Sequence, residues 1–157
     1  MSIKIDISVG ELLDKITILQ IKSERIRDEA KLLNVNKEKQ VLTTIWESSD
    51  NSGLDEEIQE LKSINESLWD IEDAIRDKER DKEFDDRFIE LARSVYITND
   101  KRAAVKKIIN EKTGSALVEE KSYQEIAEII GSNANNIGVR ITRIKNQLKQ
   151  LLDGTDN

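Results

Sequence analysis

No proline interrupts this chain, and its 157 residues include only six glycines. Proline and glycine are the residues that disfavour helix interiors most strongly, so long continuous helices are open to this sequence. Charged residues make up 36% of the chain and aromatic residues 4%, which also favours helices rich in Glu, Lys, Leu and Ile. We therefore predict an all-α protein without a sheet, built as a long-helix bundle or a coiled-coil-like hairpin.

The first helix begins at a capping box, in which Ser8 and Glu11 have the S-x-x-E spacing that closes a helix N-terminus. Apolar residues then follow the alternating 4-3 spacing of a heptad, with Ser23 at the one polar position. They are Leu12, Ile16, Leu19, Ile26, Ala30 and Leu33. The pattern predicts a helix of about 25 residues that ends near Asn34.

Three further helices are predicted before residue 116. A short one covers 37–48, with Val41, Leu42, Ile45 and Trp46 inward, and the polar run 48–53 forms a loop. A long one covers 54–82, with the stripe Leu54, Ile58, Leu61, Ile64, Leu68, Ile71 and Ile75. The last follows a charged turn at 81–86, ends at Thr113-Gly114-Ser115, and turns Phe88, Leu91, Ala92, Val95, Val105 and Ile108 inward. Stripes this long usually continue across a partner, so we expect a homo-oligomer.

The chain contains neither cysteine nor histidine. Disulfides and thiolate metal sites are therefore excluded, and the commonest neutral-pH base and transition-metal ligand is missing. The first ten residues lack the apolar stretch of a signal peptide, and no segment approaches 18 apolar residues. We expect a cytoplasmic protein that does not enter a membrane and has no cofactor.

Carboxylates one helical turn apart, Glu57 with Glu60 and Asp70 with Asp73, leave one enzymatic alternative open. All-α nucleotide pyrophosphohydrolases hold Mg²⁺ with similar pairs, although usually across two helices. In a chain this acidic such pairs are more typical of a solvated helix face, so we do not predict an enzyme. Five residues near the apolar stripes could line a groove, among them Trp69, Tyr96 and Asn99. We interpret Trp69 and Tyr96 as core residues, and Asn99, together with Asn65 outside that group, as buried polar residues that fix helix register. The other members of that group of five are Arg93 and Asp100.

The charge is unevenly distributed. Residues 122–157 contain four basic and four acidic residues, so the whole net charge of −7 lies in residues 1–121. An acidic chain is a poor nonspecific ligand for nucleic acid, but a local cationic face remains open to the C-terminal segment.

The C-terminal segment has the offsets of a helix-turn-helix. Ala127 supplies the small residue where two helices touch, Gly131 allows the turn, and Ile137 anchors the second helix. Asn136, Arg140, Arg143 and Gln147 then share one side of that helix, and no acidic residue occurs between Glu128 and Asp153. Such a face can dock in a major groove, where Arg and Asn fork onto base edges.

Residues Tyr123–Gly131 and Asn135–Lys145 resemble region 4 of bacterial sigma factors, a helix-turn-helix that binds promoter DNA and touches RNA polymerase. The resemblance covers roughly 119–152 and departs from the family at Ser132, where a core Ile or Leu is usual. It implies duplex DNA and RNA polymerase as partners. The DNA-binding residues that it implies are Asn135, Asn136, Gly138, Val139, Arg140, Thr142, Arg143 and Lys145.

The first 121 residues do not resemble sigma region 2. They resemble an uncharacterised bacterial family of small helical proteins, through Ser8–Leu19, Asn65–Asp73, Phe88–Asp100 and Leu117–Tyr123. We predict an acidic helical module at 1–116, a helix-turn-helix at 117–153 and a frayed tail at 154–157. The predicted function is DNA binding in transcription, with the acidic module serving dimerisation or an effector. The alternative is a helical structural or interaction protein without a nucleic-acid role.

Overall fold

A computed structural model describes residues 3–49 and 53–120, and within these ranges all regular structure is helical. Four helices follow one another: α1 Val9–Arg25, α2 Glu29–Glu47, α3 Asp55–Asp81 and α4 Asp86–Thr113. The prediction of an all-α, bundle-like fold is confirmed. The helices α3 and α4 form the largest contact, α1 packs against both, and α2 returns along α1.

Local capping explains most of the helix boundaries. The Ser8 hydroxyl accepts a hydrogen bond from the Glu11 N–H at 3.2 Å, as the capping box predicts. The Asp85 carboxylate accepts from the Phe88 N–H at 3.0 Å and begins α4. Gly114, with φ of +61°, ends α4 in the left-handed conformation that glycine adopts without steric cost.

The predicted first helix of about 25 residues is wrong. It stops at Arg25, because Ile26 adopts extended backbone and the Asp28 carboxylate caps a new helix by accepting from the Lys31 N–H at 2.9 Å. The predicted short helix at 37–48 is therefore the second half of the 19-residue α2. The heptad spacing continues across a turn that a side-chain cap creates, so spacing alone could not reveal the turn.

The core lies where α1, α3 and α4 meet. Its buried apolar residues are Leu13, Leu54, Leu61, Ile64, Leu68, Val105 and Ile109, with Trp46 packed against them. The stripe predicted for α3 supplies most of this core. On the other helices several residues predicted to face inward are exposed instead: Leu33, Val41 and Ile45 on α2, and Ala92 and Ile108 on α4. On α4 the buried position is Ile109 rather than Ile108.

Candidate functional site

A cluster of buried polar side chains lies at the junction of α1, α3 and α4. Asp14, Thr17 and Asn65 are 4%, 1% and 4% exposed. The Asn65 amide donates to the Asp14 carboxylate at 2.8 Å and to the Thr17 hydroxyl at 3.0 Å. From α4, the Arg102 guanidinium donates to the side-chain amide oxygen of Asn65 at 3.5 Å. Since buried polar groups are stable only when hydrogen-bonded, this cluster fixes the register of the three helices.

The N-terminus of α1 is held against α4 by a close backbone approach. The Gly10 N–H donates to the Asn110 side-chain oxygen at 2.7 Å, and Asn110 is 2% exposed. A Cβ atom at position 10 would lie 2.6 Å from the Lys106 carbonyl oxygen, which is closer than real Cβ atoms come. A glycine is therefore required here for packing, although α1 is an ordinary helix at this point.

A buried ammonium connects this end of α1 to the chain that follows α4. Lys106 donates to the Glu11 carboxylate at 2.7 Å and also to the Glu119 carboxylate. Burial by itself lowers the pKa of Lys106, but the hydrogen bonds to Glu11 and Glu119 outweigh burial and hold that pKa above its usual value. The Ser115 hydroxyl accepts from the Val9 N–H at 3.3 Å and strengthens the same connection.

Three of the four carboxylates considered for Mg²⁺ have a cationic partner. Glu57 accepts from Lys112, Asp70 from Arg25, and Asp73 from Arg76 at 3.1 Å. No group of three Asp or Glu side chains within the described ranges is arranged to hold a metal ion. The pairs of Glu57 with Lys112 and of Asp70 with Arg25 join α3 to α4 and to α1, whereas the pair of Asp73 with Arg76 lies within α3.

A second feature is an apolar face on α2 that nothing in the described part of the chain covers. Leu33, Val41 and Ile45 are 72%, 54% and 52% exposed, and α2 has no buried residue. The half-buried apolar residues of α2 lie on another side of the helix: Leu32, Val35, Leu42 and Trp46. The helix is thus apolar on two sides, of which one packs on α1.

The sequence-predicted binding residues divide into two groups. All eight residues predicted to contact DNA, from Asn135 to Lys145, lie outside the described residues. Asn65 is buried as predicted, whereas Tyr96 is 58% exposed and is not a core residue. Trp69 is half-buried, and the guanidinium carbon of Arg25 lies over its ring, 5.8 Å from the ring centroid. The Asn99 side-chain amide donates to the Val95 backbone carbonyl of the same helix at 3.0 Å.

Sequence reasoning missed Asp14, Thr17, Lys106 and Asn110 as members of the buried network. In a chain with 36% charged residues, polar side chains on amphipathic helices carry no mark of burial. The small residue Gly10, one turn before Asp14, was the available signal, because glycine inside a helix usually has a packing reason.

The described residues thus form an all-helical bundle that is held in register by buried polar contacts. The chain belongs to a family of unknown function (DUF6165), whose model matches residues 3–142. That match includes all four helices and continues through most of the segment that resembles sigma region 4. No curated protein and no solved structure matches the chain. None of the described helices has the length and apolar character needed to cross a lipid bilayer.

Proposed function

We propose that the helices form a self-association module, in which the outward face of α2 pairs with the same face of a second copy. The exposed apolar stripe of Leu33, Val41 and Ile45 carries this proposal. Their spacing of eight and four residues places them along one side of the helix. The heptad stripes predicted along α1 and α3 lie inside the bundle, where Leu19, Leu61, Ile64 and Leu68 are buried, so α2 replaces them as the pairing surface.

The energetics of α2 support a partner. Helices in proteins draw most of their stability from packing of an apolar face, and α2 gains no fully buried side chain from its contact with α1. Each Leu, Ile or Val side chain that moves from water to an apolar interface contributes about 1.5–3 kcal/mol when fully buried. Covering the three exposed side chains would therefore stabilise both the helix and the association.

Charge favours a second copy at this face over pairing through α3. The helix α2 contains three acidic and three basic residues and is neutral. By contrast, α3 contains eleven acidic and four basic residues, a net charge of −7, so two α3 helices would repel each other. The neutral helix is the surface on which two copies of this acidic chain can meet.

A paired set of double substitutions tests the α2 interface. Val41→Glu with Ile45→Glu should convert a dimer to a monomer in light scattering at high micromolar concentration, with helical circular dichroism unchanged because both positions are exposed. Tyr96→Glu with Ile97→Glu makes the same change at exposed positions of α4 and should leave the dimer intact. A monomeric wild-type chain, or equal dissociation in both variants, would contradict the proposal.

A separate observation supports DNA binding by residues 117–153 as a second candidate function. The segment resembles sigma region 4, and Arg140 and Arg143 fall one turn apart on its predicted recognition face. If two copies pair, two such modules are available to one duplex, as in dimeric helix-turn-helix proteins. RNA polymerase is the protein partner that the same resemblance implies.

The DNA hypothesis is tested on the full chain with duplex DNA at about 50 mM salt, where phosphate contacts are strongest. Arg140→Ala with Arg143→Ala should abolish a gel shift of the wild-type chain. Each lost phosphate contact should also flatten the slope of log K against log salt by about 0.9. Lys101→Ala with Lys107→Ala removes equal charge from exposed positions of α4 and should leave binding unchanged. Binding that survives the arginine changes would place the recognition face elsewhere.

A further inference from the structure

The residues before α1 form an arm without helix, turn or bend. Residues 3–7 precede the Ser8 cap and adopt no helix. Ile3 and Ile5 are 79% and 75% exposed, the two highest values among the large apolar side chains that the structure describes. No hydrogen bond involving the backbone of residues 3–7 is formed within the described ranges. The arm therefore presents both apolar side chains and hydrogen-bonding backbone groups to a partner.

The arm has the alternation of a β-strand. In extended backbone successive side chains point to opposite sides, so Ile3, Ile5 and Ile7 share one side and Lys4 and Asp6 share the other. Isoleucine is also among the residues most favoured in strands. One side is thus uniformly apolar, and the other carries one positive and one negative charge.

We propose that this arm pairs with the same arm of a second copy as a two-stranded antiparallel ribbon centred on Ile5. In that register Ile3 lies opposite Ile7 of the second copy, and Lys4 lies opposite Asp6 of the second copy. Every apolar side chain then meets an apolar one, and both charged pairs are of opposite sign. A parallel, in-register ribbon would instead place Lys4 opposite Lys4, which destabilises the pair.

This pairing is independent of the α2 interface, because it uses other residues and backbone hydrogen bonds instead of helix packing. A two-stranded ribbon is marginal by itself in water, so the arm is a weak contact. Its specificity comes from the charge pattern, which selects one register and one direction. The arm thereby recognises a second copy of this chain rather than any exposed strand edge.

Engineered cysteines test the register, since the chain has no cysteine of its own. Ile5→Cys lies opposite its own copy, at the Cβ separation of about 4.5–5.5 Å of a directly opposed pair. Lys4→Cys is the matched control, because it lies diagonally from its copy at about 7–8 Å. Ile5→Cys should form disulfide-linked dimers several-fold faster than Lys4→Cys, in the wild-type chain and in the Val41→Glu, Ile45→Glu variant alike.

A charge exchange tests the complementarity in the same Ile5→Cys chain. Asp6→Lys alone places Lys opposite Lys and should slow cross-linking several-fold. Adding Lys4→Asp restores opposite charges and should restore the rate. Equal rates for the two cysteine positions, or no recovery in the exchanged variant, would overturn the proposal. Loss of cross-linking in the α2 variant alone would show that the arms meet only because α2 pairs, and would refute their independent recognition.

Discussion

At the scale of single residues, Gly10 shows how a close backbone contact decides whether a Gly→Ala substitution stabilises or destabilises the protein. In a solvent-exposed helix, Gly→Ala stabilises by about 1 kcal/mol because alanine is the better helix former. Here the added Cβ would meet the Lys106 carbonyl oxygen at 2.6 Å and the Asn110 side-chain oxygen at 3.0 Å. Relieving that overlap must separate α1 from α4.

We therefore predict that Gly10→Ala lowers the free energy of unfolding by about 1–3 kcal/mol, the usual range for overpacking a tight contact. Urea denaturation measures this directly. Lys15→Ala, an exposed change on the same helix, should alter stability far less. Unchanged or increased stability of Gly10→Ala would mean that the helices do not approach so closely.

The buried polar residues mark how far sequence reasoning reaches at this scale. Asn65 was predictable, because an amide within an otherwise apolar stripe has the position of a register-fixing residue. Asp14 was not, since on a charged helix a carboxylate looks the same whether it faces water or Asn65. The prediction for Tyr96 was wrong in the opposite sense, because its large ring suggested a core residue and the structure exposes it.

At the scale of helices, boundaries marked by glycine or a capping box were predictable and the break at Ile26–Asp28 was not. Ser8, Gly114 and the charged turn before α4 each give a local reason to begin or end a helix. The α1–α2 turn contains neither glycine nor proline, and depends on the single cap at Asp28. The chain turns here if packing of α2 back on α1 stabilises it more than one continuous helix extending into solvent would.

The ion pair of Glu57 and Lys112 joins the first turn of α3 to the last turn of α4. The hydrogen bond from Lys112 lowers the pKa of Glu57 below its usual 4.5 and outweighs the opposing effect of burial. A lowered pKa in the folded state contributes stability that is present above about pH 4.5 and is lost as pH falls through the lowered value.

We predict that Lys112→Met destabilises the chain at pH 7, where Glu57 would remain buried and charged without its partner. The difference from the wild type should shrink as the pH falls below about 4, because protonation of Glu57 removes the unpaired charge. Urea midpoints at both pH values give the comparison. Lys107→Met, an exposed charge loss on the same helix, should show no such pH dependence. A constant difference between Lys112→Met and wild type would contradict this account.

At the scale of the whole molecule, the distribution of burial divides the helices into a core and a periphery. The helices α1, α3 and α4 share the buried apolar residues, and α2 contributes none. The sequence could show that α2 has apolar residues, but not that they occupy two sides of a helix that packs mainly on α1. Which side of α2 is covered depends on where the other helices lie, and the local sequence does not show this.

This division predicts the order in which backbone amides exchange with solvent. In dilute protein, α2 should exchange faster than α3 and α4, because its opening exposes little apolar surface. At high micromolar concentration α2 should become more protected, since pairing through Val41 and Ile45 adds the missing contact. Hydrogen exchange followed by mass spectrometry at two concentrations measures both effects on the full chain. The Val41→Glu, Ile45→Glu variant should show fast α2 exchange at either concentration. If α2 in the wild type is as protected as α3 even at high dilution, its contact with α1 suffices and no partner is needed.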